Sequence, residues 1–195
     1  METQTFVFYG LAGSGKGTQI KLLTDFLKAK DGKNCVYAGT GEGFRKFTKS
    51  DSYAARVAKE HMLRGALVPD FLTSSIFTNI LVDSLDEKKH LITDGYPRTV
   101  TQSETFEQMM KFFKRENVKI IHIELSEEEA IKRNLLRGRA DDTREGMGKR
   151  IEEFKNNILP SINYFKGKKG YEILTIKGEQ SIEEVHQDII KALNF

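Results

Sequence analysis

Residues 10–18, GLAGSGKGT, have the composition and spacing of a phosphate-binding loop. They follow an apolar run rich in β-forming residues and precede a helical pattern of apolar residues. Glycines allow successive backbone N–H groups to surround an anion, and a helix N-terminus adds partial positive charge. Lys16 can reach the outer phosphates of a nucleoside triphosphate. A glycine turn without a ligand is the alternative, and Gly17 departs from the strict pattern by separating Lys16 from Thr18.

An acid and an arginine follow the apolar run 90–93. Ligands in open α/β sheets bind beyond the carboxyl ends of the strands. Asp94, at the end of a buried strand beside a phosphate loop, is suited to hold Mg²⁺ directly or through water. Arg98 would keep its guanidinium near that acid, where it can bind phosphate. The alternative for Asp94 is a helix N-cap.

A basic cluster lies further along the chain, around Asp141 and Asp142. Its members are Arg133, Arg137, Arg139, Arg144, Lys149 and Arg150. Arg133 and Arg137 are four residues apart and therefore share a helix face. A charged helical surface is one interpretation. Phosphoryl transfer is the other, because its catalysis is mostly positioning and electrostatic stabilisation of charged oxygens.

Short apolar runs alternate with amphipathic helical patterns, which predicts an α/β fold with a parallel five-stranded sheet and helices on both faces. The predicted strands are 5–9, 34–38, 90–93, 119–124 and 171–175. The predicted helices are 15–30, 52–64, 70–85, 101–115, 126–136, 143–158 and 181–193. The chain is expected to form one domain, 1–195, with its core in 1–38, 86–136 and 143–195. The segment 39–85 is longer than one crossover needs and is predicted to be a small helical insert.

Composition excludes several classes of protein. The 195 residues include 31 basic and 28 acidic side chains, so a net charge of +3 gives no general attraction to nucleic acid or membrane. No apolar run approaches the ~20 residues of a transmembrane helix, and the N-terminus lacks the pattern of a signal peptide. The single cysteine, Cys35, is interpreted as a buried thiol, and a cytoplasmic location is expected. The histidines share no ligand spacing and are interpreted as surface or boundary residues: His61, His90, His122 and His186.

The sequence resembles the adenylate kinases, within the nucleoside monophosphate kinases, over nearly its whole length. The motifs that carry the resemblance are 10–18 (GLAGSGKGT), 40–45 (TGEGFR), 65–70 (GALVPD), 94–102 (DGYPRTVTQ) and 137–142 (RGRADD). The resemblance also accounts for Gly17 between Lys16 and Thr18.

The resemblance implies an ATP site at the phosphate loop. The loop residues expected to hold the ATP phosphates are Gly13, Ser14, Gly15, Lys16, Gly17 and Thr18. Arg133 or Arg137 would lie against the ATP adenine, and the turn that ends at Gln180 would border it. Asp94 would organise the water molecules around Mg²⁺.

The resemblance implies an AMP site beside the ATP site. The residues expected to line it are Thr40, Arg45, Ala66, Leu67, Val68, Gly95, Arg98, Gln102, Arg139 and Arg150. Arg45 and Arg98 would bind the AMP phosphate, and Gln102 would recognise the adenine edge through its amide. Arg139 and Arg150 would contact both nucleotides, so the expected catalytic set is Lys16, Arg98, Arg137, Arg139 and Arg150.

The lid is where the sequence departs from the family. Relatives carry a long insert, in some cases with zinc, or a short loop between two arginines, whereas here only Gly138 separates Arg137 from Arg139. A minimal lid over about 137–142 without structural zinc is expected. Another subunit or a neighbouring loop would then cover the site, or some ATP hydrolysis would leak. The sequence leaves open whether the chain is a monomer or a homo-oligomer.

The function implied by the resemblance is reversible, Mg²⁺-dependent phosphoryl transfer from ATP to AMP. Two alternatives stay open at this point. The acceptor could be UMP or CMP, or several monophosphates, since a side-chain amide can rotate to suit other bases. The chain could also be a non-catalytic nucleotide sensor, because fold alone does not establish activity.

Overall fold

The computed structural model describes residues 2–63, 68–138 and 143–195. Its strands form one parallel sheet in the order β2-β3-β1-β4-β5, which confirms the predicted α/β class. The strands are β1 (Thr5–Tyr9), β2 (Cys35–Gly39), β3 (His90–Asp94), β4 (Val118–Glu124) and β5 (Tyr171–Lys177).

Helices cover both faces of this sheet. They are α1 (Lys16–Asp31), α2 (Thr40–Phe47), α3 (Tyr53–Leu63), α4 (Asp70–Ser84), α5 (Val100–Phe112), α6 (Glu127–Arg137), α7 (Arg144–Glu153), α8 (Leu159–Tyr164) and α9 (Ile182–Ala192). Among the described residues, no helix is long and apolar enough to cross a membrane.

The central strand β1 is buried on both faces, as parallel sheets require. Phe6 and Phe8 pack into an apolar cluster with α1 and α9, while Val7 and Tyr9 face a second cluster built with α4, α5 and α8. The alternation of side chains along the strand divides the core into these two layers. Because β1 pairs with β3 in parallel, with Phe8 opposite Asp94, the carboxyl ends of the two strands lie side by side.

Two helical segments differ from the sequence prediction. Helix α2 was not predicted individually, because Gly41 and Gly43 disfavour helix. A Cβ on Gly43 would lie 2.5 Å from Ile76 Cγ2, so the glycine permits close packing of α2 on α4. The predicted helix 143–158 continues through a π-helical turn, Phe154–Ile158, into α8. Pro160 has no backbone N–H to continue the helical ladder, and the π-helical turn lies directly before it.

The interpretation of His90 as a surface or boundary residue is wrong. The side chain is fully buried at the amino end of β3. Its Nδ1 accepts a hydrogen bond from the Gln4 N–H at 2.9 Å, and Nε2 lies 3.3 Å from both carboxylate oxygens of Asp31. Two partners that are distant in sequence therefore satisfy the buried imidazole.

The Cys35 thiol is partly buried, close to the predicted environment. Burial raises its pKa to about 11, and the carboxylate of Asp31 acts in the same direction. The thiol is therefore protonated and unreactive at neutral pH.

Candidate active site

The phosphate loop connects β1 to α1 through glycines with positive φ. Gly10 has φ 148°, and a Cβ there would lie 2.6 Å from the Ile123 carbonyl oxygen. Gly13 has φ 87°, and a Cβ there would lie 2.5 Å from the Asn134 side-chain nitrogen. Both positions therefore require glycine, for backbone conformation and for space. The Ser14 N–H donates to the Leu11 carbonyl at 3.1 Å and closes the turn, while the Ser14 side chain is buried.

The Lys16 ammonium lies inside the curve of the loop. It donates to the carbonyl oxygens of Gly10 at 2.7 Å and Leu11 at 3.0 Å. Burial lowers its pKa to about 8, Asp94 opposes that change, and Arg98 and Arg137 reinforce it. Cations from the regions of β3 and α6 therefore converge on the loop. Gly17 and Thr18 are exposed at the start of α1.

Asp94 ends β3 beside the phosphate loop. Its Oδ2 accepts a hydrogen bond from the Tyr37 hydroxyl at 3.2 Å. Burial and the Asp94 carboxylate raise the pKa of Tyr37 to about 12, so the phenol stays protonated and keeps its donor. The N-cap of α5 is Thr99, whose side chain accepts from the Gln102 N–H, so the N-cap alternative for Asp94 is wrong.

Three predicted AMP-site residues meet at the turn after β3. The Gly95 carbonyl accepts from Thr40 Oγ1 at 2.9 Å and from Arg98 Nε at 3.0 Å. Gly95 has φ 75°, and a Cβ there would lie 2.8 Å from Thr40 Oγ1 and 2.9 Å from Arg98 Nη2. The other side of the Arg98 guanidinium faces α7, where Nη1 lies 3.4 Å from Glu153 Oε1. The guanidinium is thus held at two points, and Arg98 lines the cavity described below.

Gln102 is buried at the start of α5. Its Oε1 accepts from the Arg98 N–H at 2.8 Å, and its Nε2 donates to Asp70 Oδ1 at 2.7 Å. The other Asp70 oxygen accepts from the Thr99 hydroxyl at 2.8 Å. These partners fix which end of the amide is the oxygen and which is the nitrogen. Val68 is buried near the start of α4, and its carbonyl accepts from the Thr73 hydroxyl at 3.3 Å.

Arg45 lies on the exposed side of α2. A Cβ on Gly41, one helical turn earlier, would lie 3.6 Å from Arg45 Nη1. The positive charge of Arg45 opposes the rise in the pKa of the Tyr37 phenol. Arg45 is therefore near the Tyr37 side of the site.

Helix α6 brings Arg133 to the turn after β5. Its Nε donates to Glu129 Oε1 at 2.8 Å, and its Nη1 donates to the Gly178 carbonyl at 3.1 Å. Arg133 and the turn after β5, which are both predicted to lie beside the ATP adenine, are therefore in contact. The Gln180 side chain points toward α9, where Nε2 donates to Asp188 Oδ2 at 2.9 Å. Arg137 is exposed at the end of α6.

A cavity of about 470 Å³ joins these parts. It lies between the phosphate loop, the turn after β3, and the segment from α7 to the π-helical turn. Charged residues of its wall are Lys16, Asp94, Arg98, Lys149, Arg150 and Glu153. Arg150 Nη1 also lies 3.7 Å from the Met147 sulfur. The cavity therefore collects cations from three separate parts of the chain, together with two carboxylates.

Some predicted residues lie outside the described part of the chain. They are Ala66, Leu67 and Arg139, and residues 140–142 of the expected lid lie outside it as well.

Three residues of the site are not predicted from the sequence motifs. Tyr37 and Glu153 contact predicted site residues, and Asn134 contacts the phosphate loop. An asparagine inside a helix is a weak signal of a special role, because its side chain competes for backbone hydrogen bonds. Tyr37 and Glu153 carry no comparable signal, since tyrosine is common in strands and glutamate in helices.

The fit of a metal can be judged from the donor set. Among the described residues, no cluster of three or more His, Cys, Asp or Glu side chains could hold a metal ion. Mg²⁺ does not require such a cluster, because it is commonly bound by one or two carboxylates together with substrate phosphates and water. Asp94, in the same cavity as Lys16, fits that requirement.

Comparison with known proteins gives a consistent family. The family model described as adenylate kinase matches residues 8–170. The adenylate kinase of Corynebacterium urealyticum is 31% identical over 188 residues, covering 96% of this chain and 98% of the relative. The adenylate kinase of Bacteroides fragilis is 33% identical over 192 residues, covering 96% and 97%. Adenylate kinase 1 of a Nostoc species is 31% identical, covering 94% and 95%. The chain belongs to the adenylate kinase family of phosphotransferases.

Proposed function

We propose that the chain catalyses reversible phosphoryl transfer between adenine nucleotides, ATP + AMP to two ADP. The observation that carries the proposal is the shared cavity. Its wall contains Lys16 of the phosphate loop, Arg98 beyond β3 and Arg150 of α7. A donor phosphate on the loop and an acceptor phosphate on Arg98 would therefore face each other across one space.

The donor half is the phosphate loop. Residues 13–18 would hold the ATP phosphates through backbone N–H groups, the start of α1 and Lys16. Arg133, at the Gly178 carbonyl, would lie against the adenine, bordered by the turn at Gln180. Arg137 would extend from the end of α6 toward the phosphates, which agrees with its influence on the pKa of Lys16.

The acceptor half is the pocket around Gly95. Arg98 and Arg45 would bind the AMP phosphate through their guanidinium groups. Thr40 and Val68 would line the pocket together with Ala66 and Leu67. Gln102 would recognise the base. Its amide orientation is fixed by Arg98 and Asp70. The match to adenylate kinases over nearly the whole chain supports adenine as the base.

The chemistry needs no general base, because the acceptor is itself a phosphate. Charge on the transferred phosphoryl group is spread over its oxygens, so catalysis depends on positioning and on cations. Lys16, Arg98, Arg137, Arg139 and Arg150 would supply those cations, with Arg139 and Arg150 in contact with both nucleotides. Cations fixed in a cavity stabilise such charge more strongly than cations in water.

Asp94 is the residue we assign to Mg²⁺. It would orient the water molecules of the ion, and its hydrogen bond from Tyr37 would restrain the carboxylate. When bound, Mg²⁺ would neutralise charge on the phosphate oxygens of ATP.

The helices between β2 and β3 are proposed as a moving unit. Segment 39–85 would close on AMP and carry Thr40 and Arg45 toward the phosphate, while the remaining chain acts as a core. Residues 137–142 would act as a minimal lid. We also propose a cytoplasmic location, because a single cysteine allows no internal disulfide, which suits a reducing compartment.

A nucleotide conversion assay in both directions tests the proposal. Purified protein with Mg²⁺ should form ADP from ATP and AMP, and should form ATP and AMP from ADP, as measured by chromatography. The Lys16→Met variant should lose on the order of 10²-fold or more in turnover, because it removes a cation fixed at the phosphates. Lys21→Met, on the exposed side of α1, is the matched control and should keep its activity. No ADP from ATP and AMP would contradict the proposal.

A further inference from the structure

We propose that Asn134 is a positioning residue that fixes the conformation of the phosphate loop and thereby sets the affinity for ATP. This inference rests on the proposed donor role of the loop. Asn134 lies in α6 between Arg133 and Arg137, and its side chain is completely buried.

The contact between Asn134 and the loop is direct. Its Nδ2 donates to the Ala12 carbonyl at 2.8 Å and to the Ala130 carbonyl at 2.7 Å. The Ala12 bond joins parts of the chain separated by 122 residues. A Cβ on Gly13 would lie 2.5 Å from the same nitrogen, so the loop backbone packs directly on the amide. One side-chain NH₂ group therefore links the loop to α6.

The hydrogen bond also fixes a peptide plane. In a trans peptide, the carbonyl of one residue and the N–H of the next point in opposite directions. Because the Ala12 carbonyl points to Asn134, the Gly13 N–H points away from α6. That N–H is the first of those expected to hold phosphate. Without the anchor, the plane could rotate and this donor would lose its fixed direction.

Helix stability does not explain an asparagine here. The Asn134 Oδ1 is buried and has no hydrogen-bond partner among the described residues. A buried acceptor without a partner destabilises the folded state, and asparagine is a poorer helix former than leucine. The two bonds made by Nδ2 offset these costs, and only the bond to Ala12 leaves the helix. The Asn134 amide is therefore best explained by its hydrogen bond to the backbone of the phosphate loop.

The position of Asn134 also connects the loop to the cations of α6. Arg133, its neighbour, donates to the Gly178 carbonyl, and the Gly138 N–H caps α6 on the Asn134 carbonyl at 3.2 Å. A loop anchored to α6 keeps a fixed distance from Arg133 and Arg137. Loss of the anchor should therefore weaken ATP binding without a comparable effect on AMP, whose phosphate and base we assign to residues of other elements.

Calorimetric titration of ATP and of AMP, each alone, tests the inference on Asn134→Leu. We expect the Kd for ATP to rise about tenfold, which corresponds to the loss of one hydrogen bond worth ~1.4 kcal/mol. The Kd for AMP should stay within about twofold of the wild-type value. Asn134→Asp should weaken ATP binding further, because it places a carboxylate at the Ala12 carbonyl and near the phosphates. With ATP bound, the Gly13 N–H should be less protected from hydrogen exchange in Asn134→Leu than in the wild-type protein.

The control is His90→Gln, which perturbs a buried hydrogen-bonded residue at the opposite end of the sheet. It should lower the melting temperature and leave the Kd for ATP unchanged. An unchanged Kd for ATP in folded Asn134→Leu, or equal weakening of ATP and AMP, would overturn the inference. If Asn134→Leu does not fold, Asn134→Ala decides by the same two Kd values. Wild-type protein that binds ATP but forms no ADP would reject the proposed function and leave these titrations valid.

Discussion

The Arg98 guanidinium lies 3.4 Å from the carboxylate of Glu153, inside the cavity that contains Lys16 and Arg150. Arg98 also donates to the Gly95 carbonyl. The cation that we assign to the AMP phosphate therefore has an anionic neighbour on α7. Both side chains are partly exposed, so the pair itself adds little stability.

The Glu153→Gln variant should bind AMP more tightly. The carboxylate competes with the AMP phosphate for Arg98, and its removal should lower the KM for AMP roughly two- to fivefold, the range of a partly exposed ion pair. Steady-state rates at varied AMP concentration measure this effect. Glu152→Gln removes an exposed charge from the same helix and should leave the KM unchanged. A higher KM for AMP in Glu153→Gln would refute the competition.

The Arg98→Ala variant should remain folded but have a kcat lower by on the order of 10²-fold or more. The reason is that the interaction of the Arg98 guanidinium with the phosphoryl group strengthens as charge develops on that group. Circular dichroism and kcat on the same preparation measure both properties. Lys111→Ala, at the far end of α5, is the control. Wild-type turnover in a folded Arg98→Ala protein would exclude the assigned role.

Binding of ATP should weaken at alkaline pH. The Lys16 pKa of about 8 means that the free protein loses this charge as pH rises through that value, and the phosphates must then bind the neutral amine or restore its proton. We expect the Kd for ATP to increase on the order of tenfold between roughly pH 7.5 and 9.5. Lys16→Arg stays charged over this range and should lose most of the pH dependence. A wild-type Kd that is flat across this range would contradict the expectation.

The folded protein should lose stability below neutral pH through His90. Burial lowers the pKa of this imidazole, Asp31 acts in the opposite direction, and Lys33 and Arg115 add repulsion. The unfolded chain titrates near the ordinary value of about 6.5, so between that value and the folded pKa only the unfolded state gains the proton. The contribution of the neutral His90 to stability is therefore fully present above pH 6.5. It is lost as the pH falls from 6.5 toward the pKa of His90 in the folded protein.

Urea denaturation at roughly pH 7.5 and 5.5 measures this effect. Burial also lowers the pKa of His122 and of His186, so both residues reduce stability in acid as His90 does. The decrease in the free energy of unfolding of the wild-type protein is therefore the sum of all three contributions. His90→Gln should be less stable at neutral pH and should show a smaller decrease on acidification. An equal decrease in both proteins would contradict a contribution of His90 to the loss of stability in acid.

The strands and their order along the chain were predictable because buried parallel strands are short apolar runs. Helix α2 was harder to predict, since its glycines are explained by Ile76 on another helix. The helix predicted over 143–158 ends before Pro160, which differs from the structure. The π-helical turn instead carries the chain past it, with the Leu159 N–H bonded to the Phe154 carbonyl.

The motif residues of the site were identifiable from sequence, but their partners were not. Glu153 and Tyr37 carry no motif of their own, and each acquires a role only when folding places it beside Arg98 or Asp94. The same holds for His90, whose partners Gln4 and Asp31 come from two other elements. Long-range contacts of single polar side chains leave no periodic pattern in the sequence.

The most direct test of the proposed reaction is the rate of ADP formation from ATP and Mg²⁺ with AMP, CMP, UMP, GMP and dTMP as alternative acceptors. Membership of the adenylate kinase family and the assignment of Gln102 to the adenine edge predict turnover with AMP and little with the other monophosphates. Comparable rates with several acceptors would contradict recognition of adenine by Gln102. Absence of turnover with AMP would contradict the proposed reaction itself.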